Sequence, residues 1–245
     1  MKNITLFLFV LFATMANAQL PVSQTPQKKN ALIEEWTGYK CPYCPGGHQT
    51  SDQLVAANPT KIFCVKMHER NNIAALSGSD YDFRTVDGTA ILRMPEMKVT
   101  GAPCASVNRA PCTNPQAGGL LMSPNYWNAA ITKILGENAY VNIASAATLN
   151  TSTRVLTVNI EAYYTGNGSA TNKLFIMLMQ DNIIASQTNG SSYPAMMVGS
   201  QYRHTDVLRD VITTGSFGQS MGATTAGTLY TTTITYVVPA SYLNI

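Results

Sequence analysis

The tetrapeptide Cys41-Pro42-Tyr43-Cys44 is the feature that most limits how this chain can fold. It follows an apolar segment with the pattern of a buried strand, residues 31–36, and precedes a helical pattern at residues 49–57. Two cysteines at this spacing can close a small disulfide at the first helical turn, where the helix dipole favours a thiolate. We therefore predict a redox site in which Cys41 is the nucleophile and Cys44 the resolving thiol. A structural disulfide, or half of a zinc site, is the alternative.

Two further residues support a redox site. Glu35 lies on the strand before Cys41, and a carboxyl group buried beneath a thiol pair can carry its proton if burial raises its pKa. An ordinary surface glutamate is the alternative. Gly101-Ala102-Pro103 precedes another predicted strand and suits a cis-proline loop packed against the disulfide, because cis peptide bonds are almost confined to proline.

The first eighteen residues have the pattern of a secretory signal peptide. Lys2 supplies a positive charge, residues 4–12 are nearly all apolar, and Ala16-Asn17-Ala18 forms a small-residue cleavage box. We expect the exported chain to begin at Gln19, in a compartment that permits disulfides. No later stretch is apolar and long enough to predict a transmembrane helix in the mature chain.

The composition excludes several classes of protein. Charged residues make up 12% of the chain and the net charge is only +3, so no basic field exists for nucleic acid or an anionic membrane surface. The apolar share of 45% is ordinary for a chain that buries a core, which excludes disorder.

The remaining sequence divides into two parts. We interpret residues 19–30 as a linker, residues 31–138 as an α/β domain, and residues 139–245 as a domain of antiparallel strands. The first domain has predicted strands at 31–36 and 62–68 and predicted helices at 49–57, 81–94 and 126–135. The second has predicted strands at 140–149, 155–164, 173–180 and 229–238, joined by turn-like linkers, which favours a β-sandwich.

The order of strand, Cys-x-x-Cys, helix and Gly-x-Pro resembles the thioredoxins. The chain resembles more closely the outer membrane protein 28-related family of Gram-negative bacteria, through residues 32–48, 101–109 and 202–209. This resemblance implies a thioredoxin-like domain followed by an antiparallel, immunoglobulin-like β-sandwich. It implies that Pro103 is the cis-proline and Glu35 the buried acid. It also implies a protein of the periplasm, associated with the outer membrane, or secreted. Family members continue with a further strand, so we expect a truncated sandwich with one edge open to a partner.

Three more cysteines need an assignment. Cys104 and Cys112 could form a stabilising disulfide across a short loop, or Cys104 could exchange with Cys41. Cys64 lies in a predicted strand and is expected to behave as a small buried hydrophobe.

The histidines raise the question of a metal. His48 lies one helical turn beyond Cys44, and with Cys41, Cys44 and His68 it could form a copper or zinc site. A histidine that makes an ordinary hydrogen bond is the alternative. His204 has no partner that the sequence reveals.

Two functions remain. The first is thiol–disulfide exchange on protein substrates, with Cys41 attacking, Cys44 resolving, Glu35 moving the proton and Pro103 shaping the substrate groove. The second is a non-catalytic binding or structural protein of the envelope, in which Cys41–Cys44 is a structural disulfide. Neither requires a cofactor or a resident metal.

Overall fold

A computed structural model of the protein describes residues 20–69, 73, 81–169, 172–215 and 217–242. The predicted signal peptide, residues 1–18, lies outside the described residues. The α-helices that concern the site and its support are α1 (Cys44–Ala57), α2 (Val86–Leu92) and α3 (Trp127–Gly136). None of the helices in the described part of the chain is both long and apolar enough to cross a bilayer.

The strands are short except for three. In chain order they are β1 (Ala31–Trp36), β2 (Ile62–Met67), β3 (Cys104–Val107), β4 (Val141–Asn150), β5 (Val155–Tyr164), β6 (Lys173–Leu174), β7 (Met177–Gln180), β8 (Ile183–Ala185), β9 (Met197–Val198), β10 (Gln201–His204), β11 (Val207–Val211), β12 (Gln219–Ser220) and β13 (Leu229–Val237). Single 3-10 turns occur at Gln116–Gly118, Pro124–Tyr126, Gly190–Ser192 and Pro194–Met196.

The largest sheet has the order β3-β1-β2-β11-β7. β1 and β2 are parallel, and β3 runs antiparallel to β1. β11 joins the other side of β2 through the parallel pair Val207–Lys66, and β7 pairs antiparallel with β11. This sheet therefore contains strands from both sides of residue 138.

Alternation along β1 places its side chains against two cores, which explains why nearly every residue of the strand is buried. Ala31 and Ile33 face a core that includes Trp127 and Ile131 of α3. Trp36 faces the opposite core, with Ile91 of α2. Because successive side chains point to opposite faces, Glu35 projects to the same side as Ile33.

A second sheet has the order β13-β5-β4, all antiparallel. Ile160, Ala162 and Tyr164 of β5 are buried against Leu174 and Met221. Two smaller antiparallel sheets, β8-β10-β9 and β12-β6, complete a mixed α/β fold with several antiparallel sheets.

The sequence located the long elements but not the short ones. β1 and β5 have the predicted bounds. α1 begins at Cys44 rather than at 49, because Pro45 is accommodated in a first helical turn. The single strand predicted at 173–180 is wrong: β6 and β7 enter different sheets. β8 to β12 were not predicted, since strands of two to five residues carry little periodicity.

We predict that Lys66→Met lowers the free energy of unfolding by about 1–3 kcal/mol, because it removes the charged hydrogen-bond donor of the partly buried Asp52 and Asp206 carboxylates. Lys66 is 3% exposed, and its Nζ lies 2.5 Å from Asp52 Oδ1 and 3.3 Å from Asp206 Oδ2. The exposed Lys61, at the entry to the same strand, is the matched control. Urea unfolding of Lys61→Met should differ little from that of the parent. Equal losses of unfolding free energy in the two variants would contradict a stabilising role for the Lys66 ion pairs.

Candidate functional site

The two cysteines of the Cys-x-x-Cys segment form a disulfide just before α1. Their Cα atoms are 5.4 Å apart. Cys41 is 2% exposed and Cys44 is fully buried, whereas Tyr43 between them is 75% exposed. The disulfide is therefore closed and lies beneath the surface.

Residues 187–189, here called the cover segment, lie against the loop that holds Cys41. Gln187 Nε2 donates to the carbonyl oxygens of Cys41 at 3.1 Å and Gly38 at 3.2 Å. Asn189 Nδ2 donates to Pro42 O at 3.0 Å. The backbone N–H of Thr188 donates to Tyr39 O at 2.7 Å. A segment remote in sequence thus occupies the surface next to the disulfide.

Glu35 is fully buried, as the proton-transfer hypothesis requires. Its Oε2 accepts a hydrogen bond from Ser51 Oγ at 2.7 Å, and Oε1 has no partner among the described residues. Burial raises the pKa of Glu35 from 4.5 to about 7, against the opposing effects of the Lys66 charge and the Ser51 hydrogen bond. The carboxyl group can therefore take up or release a proton near neutral pH.

Gly47 is the point at which α1, Glu35 and Pro103 meet. A Cβ atom at Gly47 would lie 2.5 Å from Pro103 Cβ and 2.8 Å from Glu35 Oε1. The Ala102–Pro103 bond is cis, as predicted. Two of the predicted site residues are thus brought together against the helix that begins at Cys44.

All three histidines of the chain lie in one aromatic cluster. His48 contacts Thr37 Oγ1 at 2.6 Å through Nε2 and Tyr202 OH at 3.0 Å through Nδ1. Ring centroids are 5.1 Å apart for Tyr202 and His204, and 5.5 Å apart for His204 and His68. Burial lowers the pKa of both His48 and His68 well below the ordinary value of 6.5. His48 and His68 are therefore held neutral, and the cluster packs residues from the two parts of the chain together.

The contacts of these residues do not favour the metal alternative. Cys41 and Cys44 are bonded to each other, and both nitrogens of His48 are engaged in hydrogen bonds. Across the described ranges, no three His, Cys, Asp or Glu side chains are grouped to hold a metal ion. Glu69, next to His68, instead accepts the Thr85 N–H at 2.8 Å at the start of α2.

The disulfide that the sequence left open between Cys104 and Cys112 is not formed, since both residues are thiols. Cys104 packs in the core with Trp36, whereas Cys112 packs against the opposite core, which contains Ala105. Alternation along β3 points Cys104 away from the core that contains Ala105, against which Cys112 packs. Cys64 is buried as expected, with its Sγ 3.9 Å from Glu35 Oε2.

Sequence reasoning missed the cover segment and the role of Tyr202. The Asn189-Gly190 pair marked a turn, but nothing in a turn signal indicates what the turn contacts. Tyr202 lies in the block of residues 202–209 that carried part of the family resemblance, which was the one available signal.

The geometry defines a mixed α/β protein with a closed disulfide at the start of a helix. The chain belongs to the family described as outer membrane protein Omp28, whose model matches residues 94–245. The matched residues include Pro103 and the cover segment but begin after Cys41, Cys44 and Glu35. Family membership indicates an envelope or outer-membrane location.

Two solved structures share the fold. HBP35 of Porphyromonas gingivalis has a TM-score of 0.61 at 16% sequence identity, covering 86% of this chain and 65% of that one. The chain thus spans about two thirds of the length of HBP35. A crystal structure of a protein from Agrobacterium tumefaciens has a TM-score of 0.51 at 12% identity, covering 88% of this chain and 80% of that one. A comparison with curated proteins finds no match.

We predict that Gly47→Ala destabilises the protein by about 1–3 kcal/mol, since the added methyl group overpacks the contact with Pro103. Gly46→Ala is the matched control, because a Cβ there meets nothing within 4 Å. The Gly46→Ala variant should be more stable than the parent by up to about 1 kcal/mol, because alanine has a higher helix propensity than glycine. Thermal unfolding measures both, and similar shifts for the two variants would contradict the close approach at Gly47.

We predict that Glu35→Gln gains stability relative to the parent as the pH rises. The folded-state pKa of Glu35 is raised from 4.5 to about 7. Between these values the folded state holds more protons than the unfolded state, so the free energy of unfolding falls with rising pH. The Glu35→Gln variant does not show this fall in the free energy of unfolding. Above pH 7 the fall amounts to about 3 kcal/mol, because each unit of pKa difference corresponds to ~1.4 kcal/mol. Urea unfolding of both proteins at pH 4.5 and pH 8 tests this. The same difference in the free energy of unfolding between variant and parent at the two pH values would contradict it.

Proposed function

We propose that this protein is a non-catalytic binding or structural protein of the bacterial envelope, in which Cys41–Cys44 is a structural disulfide. The observation that carries the proposal is that Cys41 is buried in a disulfide, in a loop whose backbone carbonyls are hydrogen-bonded by the cover segment. Thiol–disulfide exchange requires a thiolate to approach the attacked sulfur, and access is one determinant of its rate. A partner sulfur would have to displace the cover segment first.

The disulfide has a structural use in this arrangement. It fixes the loop between β1 and α1, whose carbonyl groups at Gly38, Tyr39, Cys41 and Pro42 receive the hydrogen bonds of the cover segment. A fixed loop presents these acceptors in one geometry. The disulfide therefore helps to hold the part of the chain after residue 138 against the part before residue 138.

We also propose a division of the chain into two domains of known fold type. The sheet order β3-β1-β2, the disulfide at the start of α1 and the position of Pro103 before β3 support a thioredoxin-like domain at 31–138. The antiparallel sheet β13-β5-β4 with its buried face supports an immunoglobulin-like sandwich within 139–245. β7 and β11 would then be contributed by the second domain to the sheet of the first. Export by the signal peptide at 1–18, to the periplasm or the outer membrane, completes the proposal.

Thiol–disulfide exchange is the second candidate, and Glu35 is the observation that favours it. A buried carboxyl group with a pKa of about 7 suits a proton donor and acceptor at neutral pH. In this function the Cys41 thiolate attacks a protein disulfide, Cys44 resolves the mixed disulfide, Glu35 transfers the proton and Pro103 lines the groove. The cover segment must leave Cys41 for this to occur.

Removing the disulfide separates the two functions. We predict that Cys41→Ser with Cys44→Ser lowers the free energy of unfolding by about 2 kcal/mol, the loop-closure contribution of so short a loop. Cys112→Ser is the control, because its thiol is half-buried and not bonded to another cysteine, and its loss should be smaller. We also predict that the parent does not accelerate the reduction of insulin by dithiothreitol.

Acceleration by the parent that disappears in Cys41→Ser would overturn the structural proposal in favour of exchange. An unchanged unfolding free energy in the double variant would also contradict a structural disulfide.

A further inference from the structure

β4 forms one edge of the sheet β13-β5-β4. All ten of its residues pair with β5, from Val141–Tyr164 to Asn150–Val155, with no shift in register. Among the described residues, no named strand pairs with its other edge, although residues 23–28 lie beside its start: the Ala139 N–H donates to Gln27 O, and Asn142 Nδ2 donates to Ser23 O and Thr25 O. A long, regular edge of this kind presents unpaired N–H and C=O groups to another strand.

From Ile143 to Asn150, β4 has none of the sequence features that usually protect an edge strand. Its sequence, VNIASAATLN, contains no charged residue and no proline, and its pairing contains no bulge. Charges, prolines and bulges are the means by which edge strands avoid pairing with other chains. β4 is therefore open to strand addition by its chemistry as well as by its position.

The side chains of β4 are also uncovered on the apolar face of the sheet. Ile143 is 58% exposed and Leu149 is 37% exposed. Both nevertheless lie on the face of the sheet that carries the buried Ile160 and Val158 of β5. On the opposite edge, Tyr230 and Ile234 of β13 are half-buried against the same core. A strand added beside β4 would thus cover apolar surface, whereas the apolar face of β13 is already covered.

The sequence of β4 is complementary to itself in the antiparallel direction. When two copies are paired about Ala146, Ile143 of each faces Leu149 of the other. Ser145 faces Ala147, and Ala144 faces Thr148. Large apolar residues meet on the inner face, small residues meet at the centre, and no charge is buried.

We propose that β4 is a dimer interface, at which a second copy of this chain pairs antiparallel about Ala146 and continues the sheet across a two-fold axis. The occupant is a second copy because, from Ile143 to Leu149, its register opposes large apolar residues to each other and small residues to each other. Such an isologous interface closes and leaves no β4 edge exposed. The role of Cys41–Cys44 does not enter this inference.

Ile143→Lys tests the interface. It should convert the dimer to a monomer, because two apolar contacts are lost and two ammonium groups enter the paired face. Val237→Lys is the matched control, an exposed apolar residue on the other edge of the same sheet, and should remain dimeric. Sedimentation equilibrium of the purified protein over a dilution series measures the mass. Circular dichroism checks that both variants keep the fold. A monomeric parent, or a dimer that survives Ile143→Lys, overturns the proposal.

A disulfide across the axis tests the register. Opposed Cα atoms in antiparallel strands are about 4.5–5.5 Å apart, within the range for a disulfide. Ala146→Cys should therefore cross-link two copies under mild oxidation, with the 146–146 link identified by peptide mass. Thr148→Cys, two residues from the axis, should not link to itself. Equal cross-linking of the two variants, or none at Ala146→Cys, overturns the proposed pairing.

Discussion

The hydrogen bonds from the cover segment to the loop around Cys41 determine what the disulfide can do. Gln187 alone bridges the carbonyl oxygens of Gly38 and Cys41. These contacts join residues that lie 149 and 146 positions apart in the sequence, and Cys41 beside them is 2% exposed. The same Cys-x-x-Cys segment on an open surface would be an accessible redox pair. Here its surroundings favour a structural use.

The junction beneath the cover segment is polar, and each buried group has a specific environment. Lys66 pairs with Asp52 and Asp206, so the positive charge is balanced from both parts of the chain. Glu35 lacks such a partner within the described structure, and burial raises its pKa. His48 and His68 are held neutral by the same burial. Because depressed histidine pKa values favour folding at higher pH and the raised Glu35 pKa opposes it, the two effects on stability have opposite signs.

The features that depend on neighbouring residues in the sequence could be predicted. The bounds of β1 and β5 follow from runs of strand-forming residues, and the burial of Glu35 follows from its position between Ile33 and the Cys-x-x-Cys turn. The contacts of residues 187–189 could not be predicted, since they depend on a fold that brings distant segments together. β11 was missed for the same reason: it joins β2 through the pair Val207–Lys66, and Asp206 just before it is one of the two carboxylates that pair with Lys66. The spacing of Cys104 and Cys112 allowed a disulfide, but Cys104 points from β3 into one core and Cys112 packs against the other.

The reduction potential of the Cys41–Cys44 pair tests this account most directly. The purified protein would be equilibrated with defined ratios of a dithiol to its disulfide, and the thiols at Cys41 and Cys44 counted by alkylation and peptide mass. A covered structural disulfide predicts a potential below about −300 mV. A value between about −120 and −270 mV, the range of working oxidoreductases, would contradict the structural assignment.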